Sequence, residues 1–345
     1  MASKRDPSTA NTRNSGAARP TLKTIASITE LGTTTVSRAL KDAPDIGKKT
    51  KQRVREVAQQ IGYIPNRAGV GLRTGKTNVI SLVLSLDEEI MGLTSHMVRG
   101  VSEALSSTPY HLTITPYTED QSPLDAIRYI VEHRTADGII MSRTEPHDER
   151  VGYLHSQRIP FATHGRTLMD IDHPFHDFDN KQFAADATRQ LLERNRSRIA
   201  LLAPPDSVTF YHHAFDGYKN ELRAHSLEPW PSLPCTIDHK LDFIENQIKH
   251  VFQQKHRPDG IISMSGGSTI ALTCGIEAAG LVVGRDVDIV SKQNMNILSR
   301  FRPEIVTIDE DIHQAGRELA KAVIGSIRQT PHSELQTIAY PSIGI

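Results

Sequence analysis

Between Pro20 and Tyr63 the apolar residues recur at helical spacing: Leu22, Ile25 and Ala26, then Val36, Ala39 and Leu40, then Val54, Val57, Ala58 and Ile61. Three short helices follow from that spacing. Beyond residue 78 the pattern changes, with the β-rich runs VISLVLSL, HLTITPY, DGIIMS and IPFATHG separated by helical stretches near 94–106, 123–133 and 148–156. A second series follows, with helices near 180–193, 212–225, 241–254 and 268–279 set among RIALLAPP, LPCTID, DGIISMS and VDIVS. Strands alternating with helices of this length predict parallel sheets wound by right-handed crossovers, and two series predict two lobes. A ligand would sit between the lobes, beyond the carboxyl ends of the strands.

These patterns divide the chain into four parts. Residues 1–19 are rich in Ser, Thr, Asn, Arg and Ala without apolar periodicity and are expected to form a disordered basic arm. Residues 20–66 form the helical head, 67–77 a linker and 78–345 the two-lobed body. Net charge is zero over the whole chain, but residues 1–76 hold 15 Lys and Arg against 5 Asp and Glu, a balance of +10, and the remainder carries −10. A basic head on an acidic body suits a polyanionic partner, since each neutralised phosphate releases condensed counterions.

Within the head, TELG makes a tight turn between the first two helices. The second helix exposes Thr33, Thr34, Ser37 and Arg38 while Val36 and Leu40 face inward. Arginine can make a bidentate contact to guanine, and threonine offers a hydroxyl and a methyl group to a base edge, so this face is suited to a DNA groove. The segments TLKTIA, TTTVSRAL, IGYIPN and LRTGKT resemble the lactose and galactose repressor (LacI/GalR) family, and weaker likeness runs on through DGII, FDN, RIALLAPP, DGY, the second DGII and PEIVTI. The resemblance implies a helix-turn-helix head on a two-lobed α/β body like a periplasmic binding protein. It also implies a cytoplasmic transcription regulator, commonly a repressor, that binds a near-palindromic operator as a homodimer under the control of a small effector. By matched position Thr33, Thr34 and Arg38 would read bases, with Ser37, Thr50, Tyr63 and Asn66 near phosphates.

The chain also departs from the family. Glu30 stands in the turn where Gly is usual, and Gly32 and Gly47 stand at helix starts where Ser is commoner. In the linker, Leu72 matches the leucine that family members insert into the minor groove, a wedge that unstacks a base step. Gly69 and Gly71 each cost about 0.8–1 kcal/mol against alanine in a helix, so the free linker is expected to order only on DNA.

For the effector, strand ends and family positions point to Ser85, Arg143, His164, Arg166, Asp179, Asn180, His212, Lys292 and Gln293. Gly165 replaces a common aspartate, His212 falls where arginine is common, and Lys292 and Gln293 replace an aromatic residue and an aspartate. Fewer acids beside Arg143, Arg166 and Lys292 lean toward a sugar acid or sugar phosphate, with a plain sugar as the alternative. The SGGS turn at 265–268 reads as a strand-to-helix turn capped by Ser268, without the lysine of a phosphate loop.

Other function classes find less support. No GxSxG elbow, dinucleotide GxGxxG or HExxH pattern is present, so neither catalytic residues, a metal nor a cofactor is expected. Cys235 and Cys274 lack metal-ligand spacing and read as buried thiols. An enzyme or an exported sugar-binding protein on the same body are the alternatives; the basic head and the opening sequence, which lacks an apolar signal core, argue against export. No run approaches the length of a membrane span, and no leucine heptads at the end suggest a tetramer.

Overall fold

The computed structural model describes residues 20–64, 75–85, 93–118 and 121–343. The expected arm at 1–19 and most of the linker, with Asn66 and Leu72, lie outside the described residues. The chain divides into two compact units at Lys76 and Thr77.

The first unit has three helices: α1 (Leu22–Thr29), α2 (Thr33–Leu40) and α3 (Lys48–Gln60). Thr21 begins α1 with a reciprocal capping box to Thr24. Ile25, Ala26, Val36, Ala39, Val54 and Ala58 form a shared core, with Leu22, Leu40, Val57, Ile61 and Tyr63 packed against it. Every apolar position that set the helical period therefore meets the core. Glu30 ends α1 at φ 53°, the left-handed conformation that glycine adopts without strain.

In the second unit, the first lobe holds β1 (Val79–Ser85), α4 (Leu93–Leu105), β2 (His111–Tyr117), α5 (Pro123–Glu132), β3 (Gly138–Met141), α6 (Glu149–Ser156), β4 (Phe161–His164) and β5 (Phe175–Phe178). The second lobe holds α7 (Asn180–Glu193), β6 (Ile199–Leu202), α8 (Thr209–Ala224), α9 (Leu241–Gln253), β7 (Gly260–Ser263), α10 (Gly266–Ala278), β8 (Asp288–Gln293), α11 (Leu298–Phe301) and β9 (Val306–Asp309). The chain then returns to the first lobe with α12 (Ile312–Ile327) and β10 (Gln336–Ala339) and ends in the second with β11 (Ser342–Ile343).

Among the described residues the first sheet runs β10-β5-β4-β3-β1-β2, all parallel, and the second β11-β9-β8-β7-β6, with β11 antiparallel. Apolar clusters cover both faces of the first sheet, and a larger one fills the second lobe. Such cover is what parallel strands with continuous apolar runs require.

The repeated DGII sequence has the same task in each lobe. Asp137 accepts from the Thr77 and Asn78 amides at 2.7 and 2.9 Å, and Asp259 accepts from the Ser197 and Arg198 amides at 3.0 and 2.8 Å. Each aspartate thus ties the start of its lobe's first strand to a neighbouring strand. LPCTID is not a strand: prolines at 229, 231 and 234 remove ladder donors, and the segment runs irregularly with Cys235 and Ile237 buried.

Candidate nucleic-acid interface and ligand cleft

On α2 the buried residues are Val36 and Ala39, while Thr33, Thr34 and Arg38 are exposed and Ser37 is half-buried. The helix therefore keeps its apolar stripe inside and offers short polar groups with one arginine outside. Arg38 forms an ion pair with Asp45 at 2.7 Å, with both side chains about half exposed. Gly32 and Gly47 start α2 and α3 without a side-chain cap, which leaves first-turn amides suited to a phosphate oxygen. Thr50 lies in the first turn of α3. Tyr63 packs against the head core, and burial pushes its phenol up.

In the body a cavity of about 400 Å³ opens between the lobes at the carboxyl ends of the strands. Ser85, Arg143, His164, Arg166, Asn180, Lys292 and Gln293 line it, which gathers seven of the residues expected there. Asp179 and His212 do not. Asp179 caps α7, accepting from the Gln182 amide at 2.9 Å. His212 packs edge-on against Tyr211, and the cleft receives Thr209, Phe210 and His213 instead. Helix α8 begins at Thr209, and residues 209 and 213 share a face by the i, i+4 rule. It also sits close to α7: a Cβ on Gly217 would lie 2.0 Å from the Lys181 carbonyl oxygen.

Charge in the cleft is balanced, which corrects the expectation of a cationic site. Arg143 meets Asp238 across the lobes through a two-toothed ion pair, Arg166 Nε donates to Asp177 at 2.7 Å, and Lys292 Nζ lies 2.7 Å from Glu310. Lys292 also donates to Asn180 Oδ1 at 3.1 Å and stands over the rings of Phe178 and Phe210. The second Glu310 oxygen is 3.5 Å from His164 Nε2. Burial alone would raise the Glu310 carboxyl, but Lys292 and His164 outweigh it and hold the group at about 2. His213 is pushed down by burial.

Three buried polar atoms on residues that line this cavity have no partner among the described residues: Thr209 Oγ1, His213 Nδ1 and Gln293 Oε1. Each such atom costs roughly 1–3 kcal/mol when left unsatisfied, and all three belong to residues of the cleft wall. Gly165 adopts φ +101°, and a Cβ there would sit 2.7 Å from Thr144 Oγ1, so the backbone excludes an aspartate at this point. Ser265, and not Ser268, caps α10; the Ser268 hydroxyl donates to the Ile237 carbonyl at 3.0 Å.

The carboxylate partners Asp177, Asp238 and Glu310 were missed from sequence, as were Thr209, Phe210 and His213. Asp177 sits in a strand and Glu310 just after one, positions that strand-end logic covers. Asp238 lies in the irregular segment and carries no such signal.

A model of the lacI family of bacterial regulatory proteins matches residues 21–66, and one of the periplasmic binding protein-like domain matches residues 188–343. The chain is similar to the HTH-type transcriptional regulator AglR of Rhizobium meliloti (strain 1021), with 28% identity over 319 residues, 89% of this chain and 87% of that protein. The fold is shared with the crystal structure of the Lac repressor dimer bound to operator and the anti-inducer ONPF, at a TM-score of 0.82 and 17% identity over 95% of this chain and 98% of that one. A transcriptional regulator CelR–cellobiose complex matches at a TM-score of 0.68 and 21% identity, covering 95% of this chain and 99% of that one.

Proposed function

Because the chain belongs to the lacI family of bacterial regulatory proteins, which are transcription regulators and not enzymes, we propose that it is a cytoplasmic repressor that binds a near-palindromic operator as a homodimer. Its grip is set by a neutral, hydroxyl-rich effector, a sugar, in the interlobe cleft. In the head, Thr33, Thr34 and Arg38 read bases while Ser37, Thr50 and Tyr63 approach phosphates. Asn66 and Leu72 join them from outside the described residues.

The observation that carries the effector reading is the cleft itself, where three paired cations leave no free charge and three orphaned polar atoms await hydroxyl groups. Sugars supply such groups without net charge, and their CH faces suit Phe210. The structurally similar transcriptional regulator CelR, seen in a complex with cellobiose, points the same way.

A second copy of the chain is favoured by exposed apolar residues on the second lobe. Ile270 and Phe301 are 40% and 78% exposed, and the Arg302–Glu277 ion pair brings α11 beside the helix that carries Ile270. On the first lobe the edge strand β2 exposes Ile114. A two-fold dimer would match a palindromic operator.

Fluorescence anisotropy on an operator from its own promoter, against a scrambled duplex and across a salt series, tests the reading. Binding at least about a thousandfold tighter to the operator, with a steep salt slope and weakened by a neutral sugar, is expected. Equal, weak binding to both duplexes would sink it.

A further inference from the structure

We propose that Glu310 is the specificity determinant that closes the cleft to anionic effectors, by serving as a built-in carboxylate for Lys292. The inference rests on the reading of the cleft as the effector site and goes further, since it assigns the rejection of sugar acids and sugar phosphates to one side chain.

The geometry of Lys292 carries the argument. Its side chain is buried at the end of β8, and a buried ammonium group needs a counter-charge and hydrogen-bond acceptors. Glu310 supplies the charge at 2.7 Å and Asn180 an acceptor at 3.1 Å. Phe178 and Phe210 present ring faces at 5.2 and 5.5 Å. What lines the ammonium is therefore one carboxylate, one amide oxygen and aromatic surface. A ligand carboxylate or phosphate reaching for Lys292 would meet the Glu310 carboxylate beside it, and like charges a few ångströms apart in a dry site repel strongly.

Of the three cleft pairs, this is the one in which neither partner is more than about an eighth exposed. Side-chain exposure is 11% and 12% for Lys292 and Glu310, against 23% and 32% for Arg143 and Asp238, and 32% and 3% for Arg166 and Asp177, so Lys292 is the most enclosed of the three cations. Water screens the outer two, so an anion near them is penalised less. His164, at 3.5 Å from the other carboxylate oxygen, holds Glu310 from the first lobe while Lys292 holds it from the second. The carboxylate is thus fixed in place and cannot swing aside for a competing anion without breaking two contacts.

Neutralising Glu310 should convert the site. Glu310→Gln keeps the shape, leaves Lys292 its amide and ring partners, and frees its charge for a ligand anion. The test is isothermal titration of the full chain with matched probes, glucose against glucuronate and cellobiose against cellobionate, on wild type, on Glu310→Gln and on the double variant Lys292→Met with Glu310→Gln. The wild type should prefer the neutral member of a pair. Glu310→Gln should raise affinity for the acid relative to its neutral partner by about tenfold or more, and the double variant should lose that gain.

Wild type binding the acids as tightly as the neutral sugars would overturn the inference even if Glu310→Gln failed to fold. So would a Glu310→Gln protein with no gain for acids, or a gain that persists in the double variant. If the wild type takes neutral sugars and the single variant gains nothing, only the role of Glu310 fails. If no probe binds any of the three proteins, the sugar-effector reading fails with it.

Discussion

Arg38 on α2 and Lys292 at the end of β8 each face one carboxylate at 2.7 Å, but the first pair is 54% and 47% exposed and the second 11% and 12%. Equal geometry does not mean equal energy. In water the Arg38–Asp45 pair is worth only about 0–1 kcal/mol, so a guanine edge or a phosphate can take the arginine at little cost. Inside the cleft neither partner of Lys292 is replaced by solvent, so the pair acts as part of the wall. The head holds its cation in an exchangeable surface pair, while the body uses its cleft cations for internal balance.

The largest effect should come from breaking the buried pair. Lys292→Met leaves Glu310 in a poor medium with His164 alone, and removing one member of such a pair costs about 3–5 kcal/mol. Urea unfolding of the body should show that loss, and adding Glu310→Gln should recover most of it. If Lys292→Met is as stable as wild type, the two pairs do not differ in the way argued.

The medium itself is open to test through His176, buried in β5 with its Nδ1 2.8 Å from Thr337 Oγ1. Burial, then the neighbouring His164, lowers its pKa from 6.5 to about 4. The unfolded chain therefore takes up the proton at a higher pH than the folded one. The stability that neutral His176 contributes is complete above pH 6.5 and is lost as pH falls through that window towards 4, by about 3 kcal/mol at most. His176→Gln should flatten the stability profile between pH 6.5 and 4. An unchanged slope would show that β5 tolerates charge.

How much of this was legible depends on the distance over which each feature is decided. The head core was readable because a 3.6-residue period acts within one helix, and every apolar position from Leu22 to Ile61 that set the period packs as expected. The alternation predicts the two parallel-stranded lobes, but LPCTID, apolar in content, is kept irregular by Pro234 and the two prolines before it. His213 lines the cleft in place of the expected His212, since a step of one residue turns a helical side chain by about 100°. Asp179 was chosen as a ligand group but caps α7. The carboxylate partners were the hardest to see: Arg143 and Asp238 are 95 residues apart and meet only because the lobes do. Counting cations at strand ends therefore missed the carboxylates that balance them.

On the exposed side of the comparison, Arg38→Ala should cost about 1–3 kcal/mol of operator affinity and relax discrimination at one base pair. Anisotropy with single-base operator variants would show it. A uniform loss over all variants would mean that Arg38 meets a phosphate instead of a base.

The smallest expected effect concerns backbone rather than charge. Glu30 holds φ 53° at the end of α1, where a residue with a Cβ is strained and glycine is not. Glu30→Gly relieves that strain but adds freedom to the unfolded chain, for a net gain of about 0.5–1 kcal/mol in the head. Amide hydrogen exchange in α1 and α2 should slow by about two- to fivefold. Glu30→Gln is the control, since it removes the same negative charge without relieving the backbone. If both variants slow exchange equally, the negative charge of Glu30 at the carboxyl end of α1 was the burden. If only glycine does, the turn carries conformational strain.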